Sequence, residues 1–235
     1  KNPAISMPFE PGSIFKPITM AGALEEDAIS PNTTYTDKGK VKIGSYPIPI
    51  RNSDLKAHGK KTMTEVLELS LNTGAVFVQQ QLGSEKFTEY VKKFGFSKNT
   101  GIDLAGEASG NIDNILNPLS NEKLLEYANA SFGQGVAATP IQIVTAFSAI
   151  ANQGKMMKPY VVKKIILSDK TEKNIEPETI SKVVSPETAS RLTAMMASVV
   201  ENGYGKKAGV NGYLIAGKTG TAQVSEGGRY LPDKT

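Results

Sequence analysis

The chain has 235 residues, of which 39% are hydrophobic and 21% are charged, and its formal net charge is +4. These values are typical of a soluble globular protein, and a charge this small, without a basic helix or aromatic-basic cluster, excludes a nucleic-acid-binding protein. The absence of cysteine excludes disulfides, and a single histidine, His58, leaves almost no ligands for a zinc site. No run approaches the roughly 20 apolar residues of a membrane span, so we expect any targeting segment to lie elsewhere in a longer protein.

The first third of the chain is predicted to be helical, with one looped interruption. The apolar run at residues 13–24 follows a turn-like entry and predicts a helix. Residues 30–61 place three prolines and three glycines among short β-like runs, which predicts a looped excursion. A capping box at Thr62 and Glu65 opens the next helix, a further helix follows it, and Ser84 is predicted to cap a third.

The middle of the chain is predicted to contain a long surface loop followed by a capped helix. Residues 97–122 are polar and glycine-rich, which predicts the loop. Thr139 and Gln142 form a capping box with Pro140 at the first helical position. The inward face of this helix is predicted to carry Ile143, Val144, Phe147 and Ile150.

The last third is predicted to hold two strands and one helix. Residues 161–167 form a β run, and Ser185 begins a helix. The apolar and β-branched residues at 213–224 predict a strand. With helices expected to outnumber strands, the predicted class is α+β with a helix-rich body. The core stripe of the Ser185 helix is Leu192, Met195, Met196 and Val199.

Ser13 and Lys16 form an S-x-x-K pattern at the start of an apolar helix. Residues three apart on a helix share a face, so the lysine amine can contact the serine hydroxyl. An amine with a depressed pKa can serve as the base that a serine nucleophile needs. The pattern alone is weak evidence, because Ser53 and Lys56 repeat it in a polar loop.

Ser70 and Asn72 form an S-x-N pattern between two apolar helices, where a short turn can lie rigidly inside a cleft. Lys218 begins the K-T-G sequence on the predicted strand. Residues 212–219 also match the phosphate-binding pattern G-x-x-x-x-G-K-[ST], which requires a helix after the lysine. The residues after Thr219 are a poor helix start, so we interpret the match as accidental and keep nucleotide binding as an alternative.

Two further patterns are interpreted as structural. A Ser-His-Asp triad would have to use His58, which lies among lysines in a loop and is predicted to be solvated. Gly133 and Gly135 lack the third glycine of a dinucleotide-binding fingerprint and predict a tight turn before the Thr139 helix.

In chain order, S-x-x-K at Ser13, S-x-N at Ser70 and K-T-G at Lys218 form the motif set of penicillin-binding proteins and class A β-lactamases. The chain resembles the transpeptidase domain of a class B penicillin-binding protein. This resemblance implies an α+β, β-lactamase/transpeptidase-like fold with a helix-rich subdomain. Leu71 occupies the middle position of S-x-N, which varies in the family. Further segments that resemble family blocks are residues 9–16, 101–104, 132–135, 139–142 and 216–223.

The resemblance also implies catalytic roles. Ser13 attacks the carbonyl between the last two D-alanines of a peptidoglycan stem peptide. Lys16 accepts the serine proton, with its pKa lowered by enclosure and by Lys218. Ser70 relays a proton towards the leaving D-alanine, and Asn72 orients the substrate amide and Lys16.

Substrate binding is implied for the K-T-G segment. Thr219, Gly220 and Thr221 line the substrate, and the two threonine hydroxyls, backed by Lys218, hold its terminal carboxylate. Backbone N–H groups of Ser13 and Thr221 form the oxyanion hole. The reaction needs no metal and no cofactor. The implied partners are donor and acceptor stem peptides and β-lactam antibiotics, and the implied location is the extracytoplasmic face of a bacterial membrane, with the anchor elsewhere in the parent protein.

Two other activities share these motifs. A serine β-lactamase or D,D-carboxypeptidase would deliver water to the acyl-enzyme, and a β-lactam sensor domain would acylate without acting on stem peptides. Members of the family carry sheet strands before the Ser13 helix and after the K-T-G strand. We therefore expect residues 1–235 to be one transpeptidase domain truncated at both ends, with an incomplete sheet. Such a truncation can leave a domain poorly folded or inactive in isolation.

Overall fold

Helices form most of the regular structure in this computed structural model, which describes residues 2–119 and 123–220 and the backbone of 225–226 and 229–230. The helices are α1 (Pro3–Ser6), α2 (Lys16–Glu25), α3 (Met63–Glu68), α4 (Asn72–Leu82), α5 (Ser84–Lys93), α6 (Asp113–Leu116), α7 (Lys123–Ala130), α8 (Pro140–Ala151) and α9 (Pro186–Glu201). The strands are β1 (Thr34–Asp37), β2 (Lys40–Val41), β3 (Ile50–Arg51), β4 (Gly59–Thr62), β5 (Lys155–Met157), β6 (Lys164–Ile166), β7 (Glu172–Asn174), β8 (Thr179–Lys182), β9 (Ser225–Glu226) and β10 (Arg229–Tyr230).

Helix α2 lies at the centre of the core. Its residues from Lys16 to Leu24 are all buried, and it packs against α4, α5 and α9. A helix that is apolar on nearly every side is stable only when other elements surround it. Phe15 and Ile18 are fully enclosed at its start. The packing therefore fixes the position of the residues that precede and begin α2.

Three of the predicted helix starts carry side-chain caps, of which those at Thr62 and Thr139 were predicted as capping boxes. The Thr62 hydroxyl accepts from the Glu65 N–H at 3.2 Å, and the Glu65 carboxylate accepts from the Thr62 N–H at 2.8 Å. Thr139 makes the same reciprocal pair with Gln142 at the start of α8. Ser185 accepts from the N–H of the third residue of α9. Each cap satisfies amides that lack a helical partner.

The excursion after α2 consists of two antiparallel strand pairs, which confirms its prediction as short β runs. Strand β1 pairs with β4, and β2 pairs with β3. Ile43 and Ile50 form a small apolar cluster with Val76 of α4 and Phe132. This cluster attaches the excursion to α4, the helix that begins at Asn72.

Two predictions about the middle of the chain were wrong. Ser84 is the first residue of α5 and not its cap, because Gly83 at φ +82° ends α4 and begins α5 without a side-chain hydrogen bond. Within the predicted loop at 97–122, residues Asp113–Leu116 form α6. Ile112 and Ile115, three residues apart, are both buried and anchor this turn of helix against the core.

The predicted inward face of α8 was wrong at one position. Ile143 and Ile150 are buried, whereas Val144 is 58% exposed. The buried stripe instead includes Ala146 and Ala149. Successive residues on a helix differ by about 100°, so a stripe centred on 143, 146 and 150 turns residue 144 towards solvent.

The strand predicted at 213–224 is not present in its described part. Residues 214–220 belong to no strand, and within the described residues no other strand lies beside them. An extended segment becomes a strand only when a neighbour completes its hydrogen bonds. Residues 221–224 lie outside the described residues.

The described sheets are small: ten strands form five two-stranded sheets. Each strand has only two to four residues, whereas nine α-helices and two 3-10 helices hold most of the described regular structure, which confirms the predicted helix-rich body. The predicted α+β class is confirmed. Among the described residues, no helix is both long and apolar enough to cross a membrane.

Candidate active site

Ser13 and Lys16 lie at the junction between a 3-10 turn, Gly12–Phe15, and helix α2. The Lys16 amine lies 2.9 Å from the Ser13 hydroxyl, so the contact predicted from their spacing is present. Ser13 is partly exposed, whereas Lys16 is only 1% exposed. The serine can therefore meet a ligand while its neighbouring amine stays shielded from water.

A glycine turn supports the backbone beside Ser13. The Gly12 N–H donates to the Gly133 carbonyl at 3.0 Å. Gly133 has φ +80°, and a Cβ there would lie 2.2 Å from the Gly12 carbonyl oxygen. Only glycine allows this approach. The predicted tight turn is thus confirmed, and it also packs directly on the segment that holds Ser13.

Ser70 and Asn72 come from the turn between α3 and α4. Ser70 has φ +53°, a conformation that costs a non-glycine residue about 1–2 kcal/mol. This strained backbone directs both the carbonyl and the hydroxyl of Ser70 towards Lys16. Asn72 begins α4, and its side-chain amide donates to the Arg51 carbonyl at 2.9 Å. That bond leaves the Asn72 oxygen facing Lys16.

The Lys16 amine contacts four oxygen atoms. Its Nζ lies 2.6 Å from the Ser70 carbonyl, 3.1 Å from the Ser70 hydroxyl, 2.8 Å from Asn72 Oδ1 and 2.9 Å from the Ser13 hydroxyl. The carbonyl and Oδ1 can only accept, so they take two N–H donors. A neutral amine has two such donors and one lone pair, which can accept a proton from a hydroxyl.

The electrostatic surroundings favour this neutral form. Burial, and secondly the charge of Lys218, hold the pKa of Lys16 well below its usual range. Lys16 can therefore act as a base towards the Ser13 hydroxyl, because its amine lies within hydrogen-bond distance and its lowered pKa favours the neutral form.

Lys218 lies on the other side of Ser70. Its Nζ is 2.8 Å from the Ser70 hydroxyl and 3.2 Å from the Thr219 hydroxyl. Burial lowers the pKa of Lys218 to about 8. One hydroxyl, that of Ser70, therefore lies between two amines.

The K-T-G segment is held beside the Ser13 turn. The Gly217 N–H donates to the Met196 carbonyl of α9 at 3.2 Å. A Cβ on Gly220 would lie 2.9 Å from the Ile14 side chain, so glycine lets the segment approach the residue next to Ser13. The structure thus brings Thr219 and Gly220 to the same cleft. Thr221 lies outside the described residues.

Sequence reasoning missed a buried polar network behind Asn72. The Asp37 carboxylate is 2% exposed and accepts four hydrogen bonds. Two of its donors are Asn52 and Thr73, the residue after Asn72. The network links the β excursion to the start of α4. No motif marks it, since Asn52 and Thr73 lie 15 and 36 residues from Asp37 in the chain.

The competing patterns do not assemble a site among the described residues. His58 is partly buried and not solvated as predicted, because its ring lies 2.8 Å from the Asp54 carboxylate. Up to Gly220, no helix follows the phosphate-binding pattern, and Lys218 contacts Ser70 instead. Lys56, of the second S-x-x-K copy, is exposed, as is Ser53.

Comparison with known proteins places the chain in a family. A model of the penicillin-binding protein transpeptidase domain matches residues 1–234. The chain is 42% identical over 226 residues to stage V sporulation protein D of Bacillus subtilis, covering 95% of this chain and 34% of that protein. It is 31% identical over 238 residues to peptidoglycan D,D-transpeptidase FtsI of Escherichia coli, covering 98% and 36%. The chain thus spans about a third of the length of these relatives.

Solved structures agree with this placement. Penicillin-binding protein 3 of Mycobacterium tuberculosis matches with a TM-score of 0.89 and 33% identity, covering 99% of this chain and 53% of that one. That protein has also been solved with aztreonam and with ampicillin. The similarity confirms the β-lactamase/transpeptidase-like fold. The chain belongs to the transpeptidase-domain family of the class B penicillin-binding proteins.

Proposed function

We propose that the chain carries the catalytic site of a D,D-transpeptidase that crosslinks peptidoglycan stem peptides through an acyl-enzyme on Ser13. The observation that carries this proposal is the enclosed amine of Lys16, which lies 2.9 Å from the Ser13 hydroxyl. The name of the FtsI relative, a peptidoglycan D,D-transpeptidase, supports the choice of reaction.

In the first half-reaction, Lys16 takes the proton of Ser13 as the serine oxygen attacks the carbonyl between the last two D-alanines of the donor. Bond formation at this carbonyl places a negative charge on its oxygen. The N–H of Ser13 and that of Thr221 stabilise this charge, each donor being worth roughly 3–4 kcal/mol in acyl transfer. The C–N bond then breaks, and D-alanine leaves with a proton supplied through Ser70.

Ser70 is suited to this relay because its hydroxyl lies 3.1 Å from Lys16 and 2.8 Å from Lys218. A proton taken by Lys16 can reach the leaving amine through that hydroxyl without crossing solvent. Lys218 and the Thr219 hydroxyl bind the terminal carboxylate of the donor, and Asn72 orients the donor amide. The site residues are therefore Ser13, Lys16, Ser70, Asn72 and Lys218 for catalysis, and Thr219, Gly220 and Thr221 for binding.

In the second half-reaction, an amine of another stem peptide attacks the acyl-enzyme, and the ester bond to Ser13 breaks. The amide that forms is the crosslink. A β-lactam would react with Ser13 in the same way as the donor and remain attached. The two β-lactam complexes of the Mycobacterium tuberculosis relative support this part of the proposal.

The 235 residues are proposed to belong to one transpeptidase domain, because a single family model matches residues 1–234. The parent protein is proposed to act at the extracytoplasmic face of a bacterial membrane, anchored by a segment outside these residues, together with other cell-wall synthesis proteins.

The proposal is tested by the fate of a peptide donor. The chain is incubated with a D-alanyl-D-alanine peptide and an excess of an amine acceptor, and the products are separated by mass. We expect the acyl group of the donor peptide to be transferred to the acceptor amine, and we expect no transfer with Ser13→Ala. Hydrolysis alone would identify a carboxypeptidase, and acylation by penicillin without any reaction of peptides would identify a sensor domain.

A further inference from the structure

The basic charge of the chain is concentrated in the β excursion. Residues 34–62 contain seven lysine or arginine residues and two aspartates, an excess larger than the net charge of +4 of the whole chain. The seven are Lys38, Lys40, Lys42, Arg51, Lys56, Lys60 and Lys61.

Neither aspartate balances this charge at the surface. Asp37 is buried and accepts three hydrogen bonds from the excursion and one from Thr73 of α4. Asp54 pairs with His58. Of the seven cations, Lys61 pairs with Glu65; the other six are exposed and form no ion pair with the residues at 2–119 and 123–220. Outside the excursion, Lys86, Lys93, Lys158, Lys164 and Arg191 form ion pairs, whereas others, such as Lys163, Lys170 and Lys173 on or beside the β6–β7 hairpin, are exposed without one among the described residues.

The strand register places like charges together. Lys40 of β2 lies directly opposite Arg51 of β3. Their neighbours Val41 and Ile50 also lie opposite each other, and Ile50 is buried against α4, so Lys40 and Arg51 occupy the outer face. Like charges directly opposite each other destabilise a strand pair. An anion bound between them would remove that repulsion.

The backbone of β3 adjoins the catalytic cleft. The Arg51 carbonyl accepts from the Asn72 amide at 2.9 Å, and the Asn72 oxygen lies 2.8 Å from the Lys16 amine. One asparagine therefore joins Arg51 to Lys16. A ligand that extends from Ser13 past Asn72 would reach β3, the strand that carries Arg51.

We propose that a basic surface formed by Lys40, Lys42, Arg51 and Lys60 binds carboxylates of an acidic peptide that extends out of the catalytic cleft. The proposal rests on the proposed function and names the occupant as the carboxylate-bearing stem peptides of the peptidoglycan strand. Four unpaired cations recruit the glycan strand whose stem peptide reaches Ser13: Lys40 on β2, Lys42 directly after it, Arg51 on β3 and Lys60 on β4. Charge complementarity of this kind raises the rate of association more than it raises the affinity.

The test measures binding to isolated peptidoglycan sacculi, with all proteins carrying Ser13→Ala to prevent turnover. The probes are native sacculi and sacculi whose carboxyl groups have been amidated with carbodiimide. At low ionic strength, the triple variant K40Q/K42Q/K60Q is expected to bind native sacculi about tenfold more weakly than the parent. Amidated sacculi should bind the parent and the triple variant equally. The matched control K163Q/K170Q/K173Q removes three exposed charges from the β6–β7 hairpin and should bind like the parent.

The proposal would be overturned if the triple variant bound native sacculi as tightly as the parent, or if the control lost as much binding as the triple variant. It would also be overturned if the parent still bound amidated sacculi more tightly than the triple variant. Tighter binding to polyphosphate or to phosphatidylglycerol vesicles than to native sacculi would also overturn it, since the partner would then be a phosphate polymer or a lipid surface. Acylation by benzylpenicillin is measured separately on proteins with Ser13 intact. Its failure would contradict the proposed function, whereas intact acylation with no charge-dependent binding would contradict only this inference.

Discussion

The Lys218 amine lies 2.8 Å from the Ser70 hydroxyl, although 148 residues separate the two in the chain. The same hydroxyl lies 3.1 Å from the amine of Lys16. Two lysines that share one hydroxyl in an enclosed cleft cannot both carry a proton without strong repulsion. The cleft therefore favours one neutral and one charged amine, and Lys16, the more deeply buried, is the neutral one.

The variant Lys218→Met is expected to shift the pH dependence of acylation. The neutral form of Lys16 is the base, so the rate falls as pH falls through the pKa of Lys16. Burial and the charge of Lys218 lower that pKa, and removal of the charge raises it. The acidic limb of the rate profile should move to higher pH, as measured by the second-order rate of penicillin acylation. The control Lys173→Met changes an exposed lysine on β7 and should leave the profile in place.

The same variant is expected to stabilise the fold near neutral pH. Burial lowers the pKa of Lys218 to about 8, so the folded state binds fewer protons than the unfolded state between that value and the usual lysine pKa. The cost of burying the charged Lys218 amine is fully present below about pH 8. It disappears as the pH rises towards the lysine pKa of the unfolded state. The free energy of unfolding in urea should therefore be about 1–3 kcal/mol larger for Lys218→Met than for the parent at pH 7, and the difference should be smaller at pH 9.5. A difference that does not change with pH would contradict this explanation.

Gly133→Ala is expected to destabilise the fold by about 3 kcal/mol or more, because it combines a left-handed conformation with a contact of the new Cβ at 2.2 Å from the Gly12 carbonyl. Gly106→Ala is the matched control: its φ of +83° is similar, but nothing lies within 4 Å of the added Cβ. It should cost only about 1–2 kcal/mol. Equal losses of unfolding free energy in the two variants would show that the Gly12 contact does not matter.

Asp37→Ala is expected to cost about 3–5 kcal/mol, because four donors would lose a buried carboxylate acceptor. Thr73, one of these donors, directly follows Asn72, which contacts Lys16. Loss of the Asp37 carboxylate should therefore also disturb Asn72 and slow penicillin acylation in the protein that remains folded. The control Asp54→Ala removes a partly exposed partner of His58 and should cost about 0–1 kcal/mol. Normal acylation by folded Asp37→Ala protein would contradict the proposed support of Asn72.

Local signals in the sequence predicted much of the helical body. The capping boxes at Thr62 and Thr139 and the apolar run after Ser13 were confirmed, because each depends on residues within one or two turns. The motif spacing also predicted the contact between Ser13 and Lys16. Signals of this kind require no knowledge of distant parts of the chain.

Features that depend on distant contacts were missed. The Asp37 network joins residues that no motif connects. The strand predicted at 213–224 failed in its described part, since strand formation requires a partner that propensity cannot supply. The effect of Lys218 on Lys16 was expected only from the family resemblance and not from the spacing of the residues.

The measurement that tests the central claim most directly is intact-mass spectrometry after incubation with benzylpenicillin, comparing the parent chain with Ser13→Ala. Circular dichroism of both proteins establishes that they are folded. The account predicts one penicilloyl adduct on the parent, stable over the hours of the experiment, and none on Ser13→Ala. An adduct that persists in folded Ser13→Ala, or its absence from the folded parent, would contradict Ser13 as the nucleophile.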